Sequence, residues 1–224
     1  MQGYYMKYDL SKFSYLFSGY TELRIQENVI VGIVLVNGDI TINTYKAESG
    51  VSARVFKNGA WGFASIPEIS DDKIRYTLKK ASDNSTALNQ KLKPHVYTLP
   101  EIKAESEDSF FTAKLKVTHQ DKINFIKEID SYILKKYPDL TARTIVLNTL
   151  DMEKSLLTSY GSKSYSMIPR AGIIVVLTKE KNGEPVRLFE YIGTLGQFED
   201  NFNGISTIYN KIDDLYEKLM DKTE

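Results

Sequence analysis

Ser49-Gly-Val-Ser-Ala-Arg-Val-Phe-Lys-Asn-Gly-Ala-Trp-Gly-Phe-Ala-Ser65 holds the chain's one tryptophan, three glycines, and an arginine set into an apolar strand. Val51, Ala53 and Val55 alternate with Ser52, Arg54 and Phe56, which is the period of two of a half-buried strand. Asn58-Gly59 supplies two residues tolerant of positive φ, as a tight hairpin requires. Residues 60–66 return as a second strand, with Gly62 between two aromatics where a backbone or a ring can approach closely. The stretch predicts an antiparallel hairpin organised around Trp61, whose loss is expected to impair folding.

Working outward, residues 20–66 read as an antiparallel meander. Strands are expected at 20–27, 29–36, 39–47, 50–57 and 60–66, with turns at Glu27-Asn28, Asn37-Gly38-Asp39, Glu48-Ser49-Gly50 and Asn58-Gly59. Upstream, Leu10, Phe13, Leu16 and Phe17 share one helical face and predict a short helix within 1–19 that ends at Gly19. Downstream, Ser70 caps a helix over about 70–83, with Asp71 and Asp72 in its first turn and Ile74, Leu78 and Ala81 as its buried stripe. Residues 84–117, with Pro94, Pro100 and the acidic run Glu105-Ser-Glu-Asp108, read as an irregular, solvated connector.

Thr118 begins a second helix, with Asp121 as a capping-box partner, an apolar face of Ile123, Ile126, Ile129, Ile133 and Tyr137, and Pro138 as its stop. Strands follow at about 142–150, 153–160, 164–178 and 186–195, with Asn182-Gly183 as a hairpin turn. Ala171 to Leu177 is nearly continuous apolar sequence and reads as a central strand. A closing helix over about 199–221 carries Ile205, Ile208, Ile212, Leu215 and Leu219 on one seam, read as core. The expected fold class is α+β: an antiparallel β meander packed with helices, in two α/β subdomains at 1–100 and 101–224, with an amphipathic C-terminal helix.

Composition narrows the function classes. Lys+Arg and Asp+Glu number 29 each, so the formal net charge is zero. That balance argues against direct nucleic-acid binding, which shows as a basic excess or a basic face. There is no cysteine, which excludes disulfides, cysteine-ligated zinc and a thiol nucleophile. No apolar run is long enough to span a membrane and no signal-peptide pattern opens the chain, so a cytoplasmic protein without membrane contact is expected.

Arg54-Val-Phe-x-Asn-Gly-x-Trp-Gly-Phe-Ala-Ser65, with Tyr20-x-Glu-Leu-Arg24 and Val36-Asn-Gly38 before it, resembles the N-terminal signature of the TldD/PmbA family. The resemblance runs through the helix after residue 70 and thins to a pattern of elements beyond about residue 100. It is carried by Arg54, Gly59, Trp61, Gly62, Phe63 and Ala64. These proteins are peptide-processing zinc metalloproteases, also known as modulators of DNA gyrase. The resemblance implies an N-terminal domain that shapes a peptide-substrate cleft and a homodimer or heterodimer interface. The zinc would be held by a motif in a C-terminal half that this sequence does not contain. The Trp-Gly-Phe-Ala-Ser form leans towards the TldD-like branch.

Candidate chemistry in the chain itself is sparse. A zinc peptidase needs histidines about one helical turn apart with a glutamate between them. The two histidines, His95 and His119, lie in no such motif and read as structural or surface residues, so no metal or catalytic residue is assigned and no cofactor is expected in this chain. No Gly-x-Ser-x-Gly elbow is present, and Gly193-Thr-Leu-Gly196 and Tyr160-Gly-Ser-Lys163 lack phosphate-loop spacing. Arg54 is the most arguable single residue. It is expected to stack on Trp61 or Phe63 across the hairpin, with anchoring of a substrate carboxylate or a partner's acid as the functional alternative. Trp61 and Phe63 point to one face of their strand and are expected in the core or at a domain interface. A free edge strand could pair with an extended peptide. Two rival readings are a stand-alone, non-catalytic protein-interaction module and, ranked last, a carboxylate-only enzyme such as a glycosidase.

Overall fold

The computed structural model describes residues 8–90, 99–202 and 204–223. Among them are a 3-10 turn at Ser11–Leu16, seven strands and four α-helices. In chain order these are β1 (Tyr20–Val36), β2 (Asp39–Lys57), β3 (Ala60–Ile66), α1 (Asp71–Asn89), β4 (Glu105–Ser109), α2 (His119–Lys136), β5 (Ala142–Thr158), β6 (Lys163–Lys181), β7 (Glu184–Leu195), α3 (Phe198–Asn201) and α4 (Ser206–Thr223). The strand order is β3-β2-β1-β5-β6-β4, and β7 also pairs with β6. The β2–β3 and β6–β7 pairs are antiparallel, whereas β4 runs parallel to β6. The α+β class expected from the sequence is observed.

Three Asn-Gly pairs make the tight turns. Asn37, Asn58 and Asn182 have φ of 51°, 48° and 55°, and the glycine after each is also positive. Two successive positive φ values define the type I′ turn, whose twist matches that of the strands it joins. The expected breaks at Glu27-Asn28 and Glu48-Ser49-Gly50 do not occur. β1 and β2 pass through them, as β5 passes through 151–152, because a polar pair without positive φ interrupts the hydrophobic alternation but not the backbone ladder.

Helix boundaries follow their caps. The Ser70 hydroxyl accepts from the Lys73 amide, and Thr118 and Asp121 form a reciprocal capping box. α1 runs to Asn89, well past the expected end at 83, because its buried stripe continues through Thr77 and Ser85, polar residues that hide it in the sequence. The N-terminal helix is reduced to a 3-10 turn among the described residues, with Phe13 fully buried. The acidic run expected to be irregular is β4, an exposed strand held by backbone pairing to residues 163–167. The closing helix begins at Ser206, and residues 198–201 form a separate short helix.

The chain groups into two compact units, divided differently from a cut at residue 100. One comprises residues 1–28, 47–109 and 152–167, and the other 29–46, 110–151 and 168–224. The first unit's core joins Leu23 and Ile25 of β1, Val51, Ala53 and Val55 of β2, and Ile74, Leu78 and Ala81 of α1. In the second, isoleucines of α2 and the α4 residues Ile208, Ile212, Leu215 and Leu219 pack with Ile173, Val175 and Leu177 of β6. β1 and β5 serve both units because each contributes buried apolar residues to both cores, Leu23 and Ile25 against Val31, Ile33 and Leu35 in β1, and Leu157 against Ile145 and Leu147 in β5.

Candidate functional site

The candidate site is the open sheet face of the first unit. Val51, Ala53 and Val55 point into the core, so Ser52, Arg54 and Phe56 lie on the other side. On β3, Ala60 and Gly62 are buried while Trp61 and Phe63 are exposed, at 40% and 56%. Trp61 and Phe63 are therefore not core residues, so of the two places expected for them, core or domain interface, the core is ruled out. The core side of β3 is occupied by α1 instead. A methyl group built at Gly62 would lie 2.0 Å from the Ala81 carbonyl oxygen and 2.3 Å from the Ser85 amide nitrogen, so only glycine lets the helix backbone rest on the strand. The Ser85 hydroxyl donates to the Ala60 carbonyl and the Asn84 amide to the Phe63 carbonyl.

Arg54 is held between a carboxylate and an aromatic ring. Its Nε donates to Glu22 Oε2 at 2.7 Å, and its guanidinium carbon lies 5.1 Å from the centroid of Trp61. The stacking expected for Arg54 is thus observed. Tyr20 meets the Trp61 ring edge-on at 5.8 Å, Phe56 meets it tilted at 5.2 Å, and Tyr160 packs on Tyr20 at 5.0 Å. The Tyr20 hydroxyl donates to Glu22 Oε1, and burial followed by the Glu22 charge pushes its pKa up, so it stays a donor at neutral pH. Beside this cluster a depression of about 200 Å³ is walled by Glu22, Arg24, Ser52, Arg54, Phe63 and Leu156.

The face offers aromatic planes and two guanidinium groups, those of Arg24 and Arg54, of a kind suited to carboxylates. Gly59 completes the β2–β3 turn with φ of 88°, and Ala64 packs half-buried against the core. His95 lies outside the described residues. His119 opens α2, with Nε2 2.7 Å from Asn43 Oδ1 and Nδ1 buried without a partner. Among the described residues no group of three or more His, Cys, Asp or Glu could hold a metal ion. One feature the sequence reading missed is Glu153, hydrogen-bonded by Tyr165. Its signal was parity: Glu153 shares the inward positions of β5 with Ser155 and Leu157.

Residues 21–85 match PmbA/TldA metallopeptidase domain 1. No curated protein matches the sequence. A structure named for modulation of a DNA gyrase, from Thermotoga maritima, is 15% identical with a TM-score of 0.63, over 81% of this chain and 40% of that one. TldE from Thermococcus kodakarensis is 12% identical with a TM-score of 0.59, over 81% and 41%. A second structure named for modulation of DNA gyrase, from Bacteroides thetaiotaomicron, is 13% identical with a TM-score of 0.64, over 95% and 47%. At these identities the likeness is one of fold, and this chain spans less than half the length of each.

Proposed function

We propose, on the match of residues 21–85 to PmbA/TldA metallopeptidase domain 1, that this chain is the peptide-guiding and subunit-contacting part of such a zinc metallopeptidase. Proteolysis would be carried by a metal site in a further half of the protein. The observation that supports this reading is the exposed face built on Arg54, Trp61 and Phe63. Exposed aromatics beside guanidinium groups suit an extended peptide or a partner subunit, whether identical or a family relative. The activity is peptide processing in the cytoplasm, with no direct role for nucleic acid.

β3 also stands at the end of the strand order. Lys57 and Ala60 flank a two-residue turn and pair with each other. The backbone N–H groups of Trp61, Phe63 and Ser65 therefore point away from β2. An extended peptide laid along this edge would bond to these N–H groups, while the Phe63 carbonyl is already held by Asn84, and would do so without demanding a particular sequence.

Trp61, the one tryptophan, reports occupancy of the face by its fluorescence. Titration of the chain with an unstructured peptide is expected to change that emission saturably. Ser65→Pro, which removes an outward N–H, and Phe63→Ala should each weaken the response. A folded Ser65→Pro protein that bound as tightly as the parent would sink the edge-pairing reading. A rival reading, a non-catalytic interaction module, would be favoured if the chain captured folded proteins but no peptide.

A further inference from the structure

Glu153 occupies an inward position of β5 and is 8% exposed. Its Oε1 accepts a hydrogen bond from the Tyr165 hydroxyl at 2.9 Å, while Oε2 is buried with no hydrogen-bond partner. Buried carboxyl oxygens are almost always satisfied, and an unsatisfied one calls for an unfilled donor. Glu153 lines a cavity of about 340 Å³ within the first unit, whose walls also carry Glu27, Gln26, Ser49 and Ser155. The lining therefore combines two carboxyl groups with amide and hydroxyl acceptors, and one lysine, Lys154, as the single cation among its described residues.

The donor chemistry can be narrowed. A multidentate metal ion is disfavoured because no group of three or more metal-ligating side chains is assembled among the described residues. A guanidinium is a wide, flat fork suited to two oxygens of one exposed carboxylate. A primary ammonium is compact, carries one charge and three donors, and has no acceptor of its own. That matches one orphaned carboxyl oxygen, a second acid and neutral acceptors around a small space.

We propose that this cavity binds a primary ammonium group, with Glu153 as its principal acceptor and Glu27 as the second. The site is separate from the Arg54 face and does not depend on the peptide-guiding reading. Tyr165 fixes Oε1 and leaves Oε2 for the ligand. A neighbouring cavity of about 540 Å³, lined in part by Tyr165, shares Tyr8 and Ser155 with the first and leaves room for the body of an amine-bearing molecule. Burial raises the Glu153 carboxyl pKa, the Tyr165 hydrogen bond opposes that, and the Glu27 charge adds to it. The titratable groups around it are Glu27, Tyr165, Tyr8 and Lys154. An arriving cation favours the ionised carboxylate and so opposes the effect of burial.

Isothermal titration calorimetry of the full chain tests the proposal with ethylammonium, a dialanine amide and its N-acetylated form as probes. Both amines should bind, and the acetylated peptide should not. Glu153→Gln should weaken amine binding about tenfold, the worth of a charge-assisted hydrogen bond. Glu27→Gln, at an exposed position that leaves the core alone, should weaken it about threefold, as an exposed charge pair would. Tighter binding of the dialanine amide than of ethylammonium identifies an amino terminus as the natural group, and the reverse order identifies a free amine. Absence of amine binding at millimolar concentration, or unchanged affinity in both variants, overturns the proposal.

Discussion

Gly62 of β3 and Ala81 of α1 are in backbone contact: a methyl group at Gly62 would come within 2.0 Å of the Ala81 carbonyl oxygen. Neither partner is a side chain that can swing aside. Gly62→Ala should therefore destabilise by about 3 kcal/mol, at the upper end of overpacking costs. Urea unfolding is the measurement, and an unchanged midpoint would show that α1 can slide without loss.

Trp61→Ala should behave quite differently. With 40% of the residue exposed and its contacts made to Tyr20, Phe56 and Arg54 on an open face, the loss should be about 1 kcal/mol and the variant should fold. A sequence reading that centres the hairpin on its tryptophan expects a folding defect. The structure gives that role to Gly62, one residue away on the opposite side of the strand.

Removing the charge of Glu22 should scarcely alter stability. Arg54 is 54% exposed in its pairing with Glu22, and exposed ion pairs contribute less than about 1 kcal/mol. Glu22→Gln and the parent should thus unfold within that margin, and the difference should shrink further in high salt.

The Asp130–Arg143 pair is the contrasting case. Both side chains are nearly buried, at 8% and 13%, and two parallel hydrogen bonds of 2.7 and 3.0 Å join them. The Arg143 amide and carbonyl also bond Asn37 in the β1–β2 turn. Arg143→Ala strands a buried carboxylate and should cost about 3 kcal/mol or more. Double substitution with Asp130→Asn should recover part of that loss, as a thermal-unfolding cycle would read.

Two acids should tilt the pH dependence in opposite directions. Burial would raise the Asp213 pKa, but hydrogen bonds from Lys136, Tyr132 and Tyr137 outweigh it and hold the carboxyl below its ordinary range. Its stabilisation is present above the unfolded pKa and is lost as pH falls through the folded one, so Asp213→Asn should flatten the acid limb. Glu153 is raised, so its contribution is present below the unfolded pKa and lost as pH rises through the folded value. Glu153→Gln should therefore gain stability relative to the parent as pH rises through and above the ordinary carboxyl range. Denaturant midpoints across that range check both signs.

Much of the fold was legible where one residue type has one physical use. The Asn-Gly turns, the Ser70 cap and the Thr118–Asp121 capping box are local devices, and each stands where the sequence places it. Strand continuity was not legible at Glu27-Asn28 or Glu48-Ser49, because a polar pair in a strand and a polar pair in a turn look alike without the partner strand. β4 carries no apolar residue at all, and its pairing comes from the edge of β6 rather than from its own composition. On the open face, the Arg54–Trp61 stack followed from register, but Glu22 as its acid did not. That contact needs the spacing between β1 and β2, which no single strand contains.

Each compact unit is assembled from three separate pieces of chain. During synthesis the first unit cannot close when its hairpin and α1 have emerged, because residues 152–167 still have to be made. Until then the apolar faces of β1 and β2 are without part of their cover, a delay that long-range pairing imposes on folding. By the same connectivity a single protease cut cannot release either unit intact as one uninterrupted fragment. The chain gains or loses its structure as interleaved pieces, and a nick in one long strand is felt in both.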